Sequence, residues 1–260
     1  EANAIAIRIA RAMTGKDGVA VCGYHGWHDW YLSANLGADD SLAGHLLPGL
    51  STIGVPSAMR GLVCPFEYND LEALNSIINQ NSIGVVKMEV MRSVKPKNNF
   101  LKKVRELCDK NGIILVFDEC TSGFRENFGG MHSKFGVEPD IAVYGKALGN
   151  GYAITAVVGR STVMELAQST FISSTFWTER IGSVAALKTL EVMERIKPWG
   201  YIMEVGEKVR NSWKDLAKEN ALEINHGGIN AIPTFSFNSP NAQKYKTYVT
   251  QEMLKRGFLA

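Results

Sequence analysis

A run of apolar residues that ends in a carboxylate constrains the fold of this chain most strongly. Residues 113–117 read Ile-Ile-Leu-Val-Phe, and Asp118 and Glu119 follow them directly. An uninterrupted apolar run of this length is typical of a parallel strand that is buried on both faces. Open α/β sheets bind their ligands beyond the carboxyl ends of such strands. The sequence therefore predicts an α/β fold in which Asp118 lies at the ligand-binding edge of a sheet.

A second short strand leads into a glycine-rich loop that contains Lys146. Residues 141–144 read Ile-Ala-Val-Tyr, and the loop Gly145–Gly151 follows. A lysine in such a loop can contact a phosphate, form a Schiff base, or simply be solvated. The phosphate-loop pattern G-x-x-x-x-G-K-[ST] is absent. A Schiff-base lysine needs a lowered pKa, so for that role we expect Lys146 to be partly buried.

Asp118 needs a partner if it is buried at the end of its strand. An ionised carboxylate without a cation or a hydrogen-bond donor is destabilised by several kcal/mol in a protein interior. Asp118 could cap a neighbouring helix. It could also pair with a protonated pyridine nitrogen, and pyridoxal phosphate chemistry requires such an acid because the protonated ring is its electron sink.

The hydrophobic pattern predicts a large α/β domain followed by a smaller α+β unit. Strands are expected at residues 19–22, 84–88, 113–118 and 153–158, and again at 222–225 and 232–237. Helices are expected at residues 4–13, 70–78, 100–108, 162–168, 180–196, 201–219 and 243–256. We predict a large domain over residues 1–196, with a connecting helix and part of a small C-terminal domain over residues 197–260.

Composition narrows the functional class. The chain has 260 residues, of which 45% are hydrophobic and 21% charged, and a net charge of +2. This balance is that of an ordinary globular protein and gives no case for a nucleic-acid partner. No apolar stretch approaches the roughly 18 residues of a membrane span. The 4 cysteines show no paired spacing, so we expect reduced thiols, a cytoplasmic protein and no metal site.

The two ends of the sequence predict that it is an internal fragment of a longer protein. It begins at Glu1 within a helical pattern and ends on the apolar residues Phe258 and Leu259 before Ala260.

Several separate motifs occur in a fixed order along the chain. They are Tyr24-His25-Gly26, Glu89, Phe117–Arg125 (FDECTSGFR), Gly145–Gly151 (GKALGNG) and Ser173–Phe176 (SSTF). Together they resemble the class III pyridoxal-phosphate-dependent aminotransferases, and within them the glutamate-1-semialdehyde 2,1-aminomutase branch. The resemblance extends over essentially the whole chain. It implies the pyridoxal-phosphate-dependent transferase fold type I, with a mostly parallel sheet flanked by helices and the start of a small α+β C-terminal domain.

The resemblance also implies roles for the central residues. Lys146 would form the Schiff base with pyridoxal 5'-phosphate and then move a proton between the substrate carbon and the cofactor. Asp118 would pair with the pyridinium nitrogen. Tyr24 would stack on one face of the ring with His25 beside it, and Cys120 would lie against the other face.

Residues farther from the ring are expected to support or complete the site. Glu89 and Glu119 would hold the loops around the cofactor. Thr175 would bind the cofactor phosphate of the neighbouring subunit, because members of this family build each site across a homodimer interface. Arg92 and Arg125 are expected to form structural ion pairs.

The substrate is the least constrained part of the prediction. Trp27 and His28 could line a substrate pocket, although loop aromatics also pack interfaces. Arg180 could bind a substrate carboxylate or form a salt bridge at a helix start. Semialdehyde aminomutases usually continue Tyr-His-Gly with His-Ala-Asp, whereas this chain has Trp27-His28-Asp29.

We therefore predict transfer of an amino group between a small amino donor and an aldehyde, ketone or keto-sugar acceptor. An intramolecular aminomutase, a racemase and a non-catalytic relative are the alternatives. An NAD-dependent Rossmann enzyme is disfavoured, because no G-x-G-x-x-G follows the first strand.

Overall fold

A six-stranded sheet bears Asp118 and Glu89 at the ends of two of its strands. The computed structural model describes residues 1–38, 40–45, 48–91 and 93–259. This sheet belongs to the first of two compact units, which comprises residues 1–91 and 95–197. The second unit comprises residues 198–259 with residues 93 and 94. Arg92, for which the sequence predicts a structural ion pair, lies outside the described residues.

The first unit alternates strands and helices along the chain. Its strands are β1 (Gly18–Cys22), β2 (Val63–Pro65), β3 (Ile83–Glu89), β4 (Ile114–Asp118), β5 (Ile141–Tyr144) and β6 (Ala156–Gly159). Its α-helices are α1 (Ala2–Thr14), α2 (Asp29–Leu32), α3 (Leu71–Gln80), α4 (Phe100–Asn111), α5 (Ser161–Met164) and α6 (Arg180–Ile196). Short 3₁₀ helices span Ser33–Leu36, Ser57–Met59, Met131–Phe135, Lys146–Leu148 and Glu165–Ser169.

The strand order is β2-β1-β3-β4-β5-β6, and β6 alone runs antiparallel to its neighbour. The prediction of a mostly parallel α/β sheet flanked by helices is therefore confirmed. The last strand begins at Ala156 rather than at residue 153. Strand β2 was not predicted, because three residues are too few to show a periodic pattern.

The parallel strands are held by burial on both faces. All residues of β3 and β4 are buried, including Lys87 and Glu89 in the otherwise apolar β3. Helix α1 packs one side, Ala6, Ile9 and Ala10, into a cluster with strand residues that include Val85 and Val116. Helix α4 contacts β4, and α3 contacts both α4 and β1. Each fully buried aliphatic side chain of this kind contributes about 1.5–3 kcal/mol to folding.

The second unit combines two helices and a hairpin-like pair of strands. It contains α7 (Trp199–Glu219), β7 (Ile224–Gly227), β8 (Thr234–Phe237) and α8 (Ala242–Lys255), and the two strands are antiparallel. A chain of aromatic contacts runs from Trp213 through Phe235 and Phe237 to Tyr245. The unit is thus a small α+β layer in which a row of partly exposed aromatic side chains links α7, β8 and α8.

None of the helices in the described residues is both long enough and apolar enough to cross a membrane. No group of three or more His, Cys, Asp or Glu side chains in these ranges is placed to bind a metal ion.

Candidate active site

The predicted acid and lysine follow neighbouring strands at one edge of the sheet. Asp118 is the last residue of β4, and it pairs in register with Glu89 of β3 on one side and Val143 of β5 on the other. Lys146 comes two residues after β5 ends. Because β3, β4 and β5 are parallel, their carboxyl ends meet at this edge.

The two oxygens of Asp118 have different surroundings. Oδ2 accepts hydrogen bonds from Asn3 Nδ2 at 2.8 Å and from His25 Nδ1 at 2.9 Å, and Lys87 Nζ lies 3.7 Å away. Among the described residues, Oδ1 accepts a hydrogen bond from the backbone N–H of Cys120 at 3.1 Å, and the weakly donating Cys120 thiol can also hydrogen-bond to the carboxylate. A carboxylate oxygen can accept about two hydrogen bonds. Oδ1 therefore has capacity for a further donor.

These contacts keep Asp118 ionised. Its side chain is only 4% exposed, and burial alone would raise its pKa. The charge of Lys87 and the hydrogen bonds from His25 and Cys120 outweigh that effect and hold the pKa of Asp118 well below its usual range. An ionised carboxylate with a free acceptor position is what a protonated ring nitrogen requires.

Lys146 has a strained backbone and an exposed side chain. Its φ of 47° lies in the left-handed region, which costs a residue with a β-carbon about 1–3 kcal/mol and clusters at functional sites. Its Nζ donates a hydrogen bond to Thr121 Oγ1 at 2.7 Å. The prediction that Lys146 is partly buried is wrong, because its side chain is exposed. The short helix Lys146–Leu148 directs Leu148 into the core instead and leaves the lysine in solvent.

The loop after β1 carries Tyr24 and is held by Glu89. The backbone N–H of Tyr24 donates to Glu89 Oε2 at 3.2 Å. Gly23 has a φ of 105°, and a β-carbon at this position would lie 2.6 Å from the same carboxylate oxygen. The Gly23 N–H donates in turn to His45 Nδ1 at 3.0 Å. Glycine is therefore required where the loop crosses Glu89, and the half-buried Tyr24 is positioned by that crossing.

Cys120 and Glu119 follow Asp118 and play different parts. Burial, followed by the charge of Asp118, raises the pKa of the Cys120 thiol to about 12, so this half-buried side chain is a neutral apolar group at pH 7. Glu119 is fully buried and accepts hydrogen bonds from the Ser122 hydroxyl and from both the backbone N–H and Nδ1 of His132, the latter two at 2.9 Å. Glu119 therefore ties together the loop between β4 and β5.

The remaining predicted residues are not joined to Asp118 or Lys146. Trp27 is 73% exposed and stacks on His28 with a ring-centroid distance of 4.9 Å. Thr175 and Arg180 are exposed. Within the described ranges, no hydrogen bond or ion pair links any of these residues to the acid or the lysine. Arg180 forms no salt bridge there either, and α6 is instead capped by Glu179, which accepts from the N–H groups of Ile181 and Gly182.

Three residues of the site were missed by the sequence analysis. Asn3 and Lys87 contact Asp118, and Thr121 accepts from Lys146. One of them left a signal in the sequence: Lys87 interrupts an otherwise apolar strand and has the same strand parity as Glu89, which predicts that both side chains point to one face. Asn3 and Thr121 gave no comparable signal.

A cavity of about 840 Å³ in the first unit is lined by parts of α1, residues 151–157 and residues 172–183. Its lining includes Glu1, Thr155 and Ser174, but neither Asp118 nor Lys146. The chemically distinctive groups lie at the sheet edge, so side-chain geometry rather than cavity size defines the candidate site.

Comparison with known proteins was decisive for the family. The family model "Aminotransferase class-III" matches residues 1–258. The chain belongs to the class-III aminotransferases. The predicted family is thereby confirmed.

The chain is also similar to individual aminotransferases and aminomutases in sequence, and to a solved structure in fold. The chain is 35% identical to a 3-aminobutyryl-CoA aminotransferase of Cloacimonas acidaminovorans over 96% of its length. It is 29% identical to a glutamate-1-semialdehyde 2,1-aminomutase of Ignicoccus hospitalis over 99% of its length. Among solved structures, the PLP internal aldimine form of the FumI protein of Sphingopyxis sp. MTA144 superposes with a TM-score of 0.84, covers 100% of the chain and is 24% identical in sequence.

The chain spans less than two thirds of the length of each of these proteins. It covers 59% and 64% of the two sequence relatives and 61% of the FumI chain.

The family assignment indicates pyridoxal phosphate (PLP) as the cofactor, and the residues present fit it. The acceptor position on Oδ1 of the ionised Asp118 suits a pyridinium N–H. At Gly145, next to Lys146, a β-carbon would lie 3.2 Å from the Thr155 methyl group and 3.5 Å from Cys120 Sγ, so a side chain there would crowd the surface beside Cys120.

Proposed function

We propose that the protein is a PLP-dependent aminotransferase that moves an amino group between a small amino donor and an aldehyde, ketone or keto-sugar acceptor. One observation carries the proposal: a buried, ionised Asp118 with a free acceptor position lies at the same sheet edge as a strained, solvent-accessible Lys146 in a class-III chain. The chain matches only 59% of the length of its 3-aminobutyryl-CoA aminotransferase relative, so the proposal concerns the full-length enzyme.

Each residue of the site contributes a separate step. Bound PLP supplies an aldehyde that reacts with amines and a ring that takes up the electron pair left when a C–H bond breaks. Asp118 holds a proton at the ring nitrogen, which keeps the ring electron-poor. The Lys146 amine, steadied by Thr121, supplies the nucleophile and afterwards carries the proton to and from the reacting carbon. Tyr24 and Cys120 would lie against the ring of the bound cofactor and help to exclude water.

The substrate side of the site is assigned to three residues that do not contact Asp118 or Lys146. We assign Trp27, His28 and Arg180 to the substrate pocket, because the guanidinium of Arg180 can pair bidentately with a carboxylate. The exposure of Trp27 and Arg180 supports this assignment, since both side chains are open to a ligand.

An intramolecular aminomutase is the second candidate, favoured by the 29% identity to a glutamate-1-semialdehyde 2,1-aminomutase. The two differ in one kinetic property. An aminotransferase stops after one half-reaction unless a second carbonyl compound is supplied, whereas an aminomutase turns over with a single substrate.

We further propose that the enzyme is a cytoplasmic homodimer in which Thr175 binds the cofactor phosphate of the neighbouring subunit. Exposed apolar side chains on α6 support the dimer: Ile181, Val184 and Leu187 are 63%, 63% and 68% exposed. The 4 free cysteines support a reducing compartment. Residues 1–196 would form the large cofactor-binding domain, with the connecting helix and part of the small domain in residues 197–260.

An absorbance spectrum of the full-length protein with PLP tests the central proposal. We expect the long-wavelength band that PLP acquires when its aldehyde carbon is bound to a lysine amine, and we expect Lys146→Ala to abolish it. Lys103→Ala, on the exposed face of α4, is the matched control and keeps the band. A wild-type protein without the band contradicts the proposal.

A further inference from the structure

Lys87 is a buried cation that the proposed mechanism does not use. It lies in the middle of β3, paired in register with Val21 and Val116, and its side chain is fully buried. A lysine in a strand interior is normally replaced by an apolar residue, since burying an ammonium group without compensation is strongly unfavourable. Its presence at this position requires a compensating partner.

The compensating partner is Asp118. Lys87 Nζ lies 3.7 Å from Asp118 Oδ2 and has no hydrogen-bond partner within the described part of the chain. Asn3 and His25 already donate to Oδ2 at 2.8 and 2.9 Å. The lysine therefore acts on the carboxylate through its charge rather than through a hydrogen bond.

The other ionisable groups around Lys87 come from three elements. Glu89 lies on the same strand, Cys120 follows β4, and His25 follows β1. Burial lowers the pKa of Lys87, while the neighbouring carboxylates of Asp118 and Glu89 oppose that shift. Burial likewise lowers the pKa of His25, while the contacts of its two ring nitrogens with Asp118 Oδ2 and the Cys22 carbonyl oxygen oppose that shift.

We propose that Lys87 is a positioning residue that acts through Asp118. Its buried positive charge offsets part of the carboxylate charge. Asp118 Oδ1 therefore attracts the proton on the cofactor's ring nitrogen less strongly than an isolated carboxylate would. The inference rests on the proposed function, because it needs a pyridine ring at Oδ1. Lys87 of β3 would thereby set the proton affinity of the ring nitrogen. The degree of protonation in turn sets how strongly the ring withdraws electrons.

The test reads the ring nitrogen directly. Full-length protein is loaded with PLP labelled with ¹⁵N in the ring, and the ¹⁵N chemical shift is followed against pH for the wild type, Lys87→Met and Lys87→Gln. Removing a positive charge near the proton favours protonation, so both variants move the shift toward the pyridinium value and raise the apparent pKa of the ring nitrogen by about one unit or more.

Met88→Leu is the matched control, because Met88 is fully buried on the same strand, carries no charge and points to the opposite face. It leaves the ¹⁵N titration unchanged. Lys87→Gln decides the question if Lys87→Met does not fold, which circular dichroism shows. The proposal is overturned if the ring nitrogen titrates alike in the wild type and the folded Lys87 variants. A wild type that binds no PLP instead removes the proposed function itself.

Discussion

At the scale of single residues, the site depends on an asymmetric carboxylate. Asp118 directs Oδ2 toward Asn3, His25 and Lys87 inside the protein and keeps one acceptor position on Oδ1. The inner contacts fix the orientation and the charge of the group, and the outer position is where a ligand's N–H can bind. Stability and catalysis therefore draw on the same side chain through different atoms.

Asp118→Asn separates these two contributions. An amide keeps the shape but carries no charge, so it cannot hold a proton at the ring nitrogen. We expect the covalent attachment of PLP to Lys146 to persist, while turnover falls by about 100-fold or more, within the range for a positioned acid–base group. Near-normal turnover would show that the acid does not keep the ring protonated.

The same substitution also leaves Lys87 buried without its counter-ion. Breaking a buried pair on one side costs about 3–5 kcal/mol, and we expect a loss in this range in urea denaturation. The double variant Asp118→Asn/Lys87→Met removes both charges and is expected to recover most of that stability but none of the turnover. Recovery of turnover as well would place the whole effect in the fold.

A site residue can be predicted from the sequence only if its role depends on neighbouring residues in the chain. Asp118 and Lys146 are recognisable because the first ends a strand and the second follows one closely, each within a distinctive local motif. The contact of Asn3 with Asp118 spans 115 residues of sequence separation and leaves no local pattern. The exposure of Lys146 was mispredicted because a glycine-rich loop does not reveal which of its side chains turns inward.

At the scale of elements, the long buried strands were predicted closely, whereas of the short edge strands β6 was predicted with a shifted start and β2 was missed. β4 is an apolar run that ends in Asp118, and β3 is apolar apart from Lys87 and Glu89, so burial on both faces accounts for their parallel pairing. β2 has three residues, and β6 pairs antiparallel with exposed residues at its end. Their positions are set by neighbouring strands rather than by their own sequence.

The loop that leaves β1 depends on a glycine with two separate requirements. Gly23 has a positive φ of 105°, and its missing side chain makes room for the Glu89 carboxylate, which binds the Tyr24 N–H. Gly26 shares the positive φ, at 103°, but a β-carbon there meets nothing within 4 Å. A substitution at Gly26 would therefore introduce backbone strain alone, whereas one at Gly23 would introduce strain and a steric clash with Glu89.

Gly23→Ala and Gly26→Ala form a matched pair. Both substitutions introduce backbone strain of about 1–3 kcal/mol, which we expect in the free energy of unfolding in urea. Only Gly23→Ala displaces Glu89, so it alone is expected to weaken PLP binding, by about tenfold, measured by absorbance titration. Equal PLP affinities in the two variants would mean that Glu89 does not position Tyr24.

At the scale of the whole molecule, the exposed surface of the first unit is unusually apolar in one region. Ile181, Val184 and Leu187 follow one another at helical spacing on α6, and Phe176 and Trp177 just before the helix are 75% and 66% exposed. An apolar stripe of this kind marks an interface when it is left uncovered. The stripe follows Thr175 in sequence, so association through it would carry Thr175 into contact with a second subunit.

A shared site can be tested by combining two defective subunits. Lys146→Ala removes the proposed reactive amine, and Thr175→Ala would remove the proposed hydrogen bond to a charged phosphate, worth about 1.5–3 kcal/mol or roughly tenfold or more in PLP affinity. Full-length subunits carrying one substitution each are co-expressed with different affinity tags, and the heterodimers are isolated. If Thr175 acts across the interface, each heterodimer contains one site with Lys146 from one subunit and Thr175 from the other, and a second site lacking both.

We therefore expect these heterodimers to show about half the wild-type activity per dimer at PLP concentrations that leave Thr175→Ala homodimers largely empty. The matched control places both substitutions in one subunit and pairs it with a wild-type subunit, so the composition is identical but no complete site forms across the interface. That control should be nearly inactive at the same PLP concentration. If Thr175 acted within its own subunit, the outcomes would be exchanged, because the control would then contain the complete site and the first heterodimer would not.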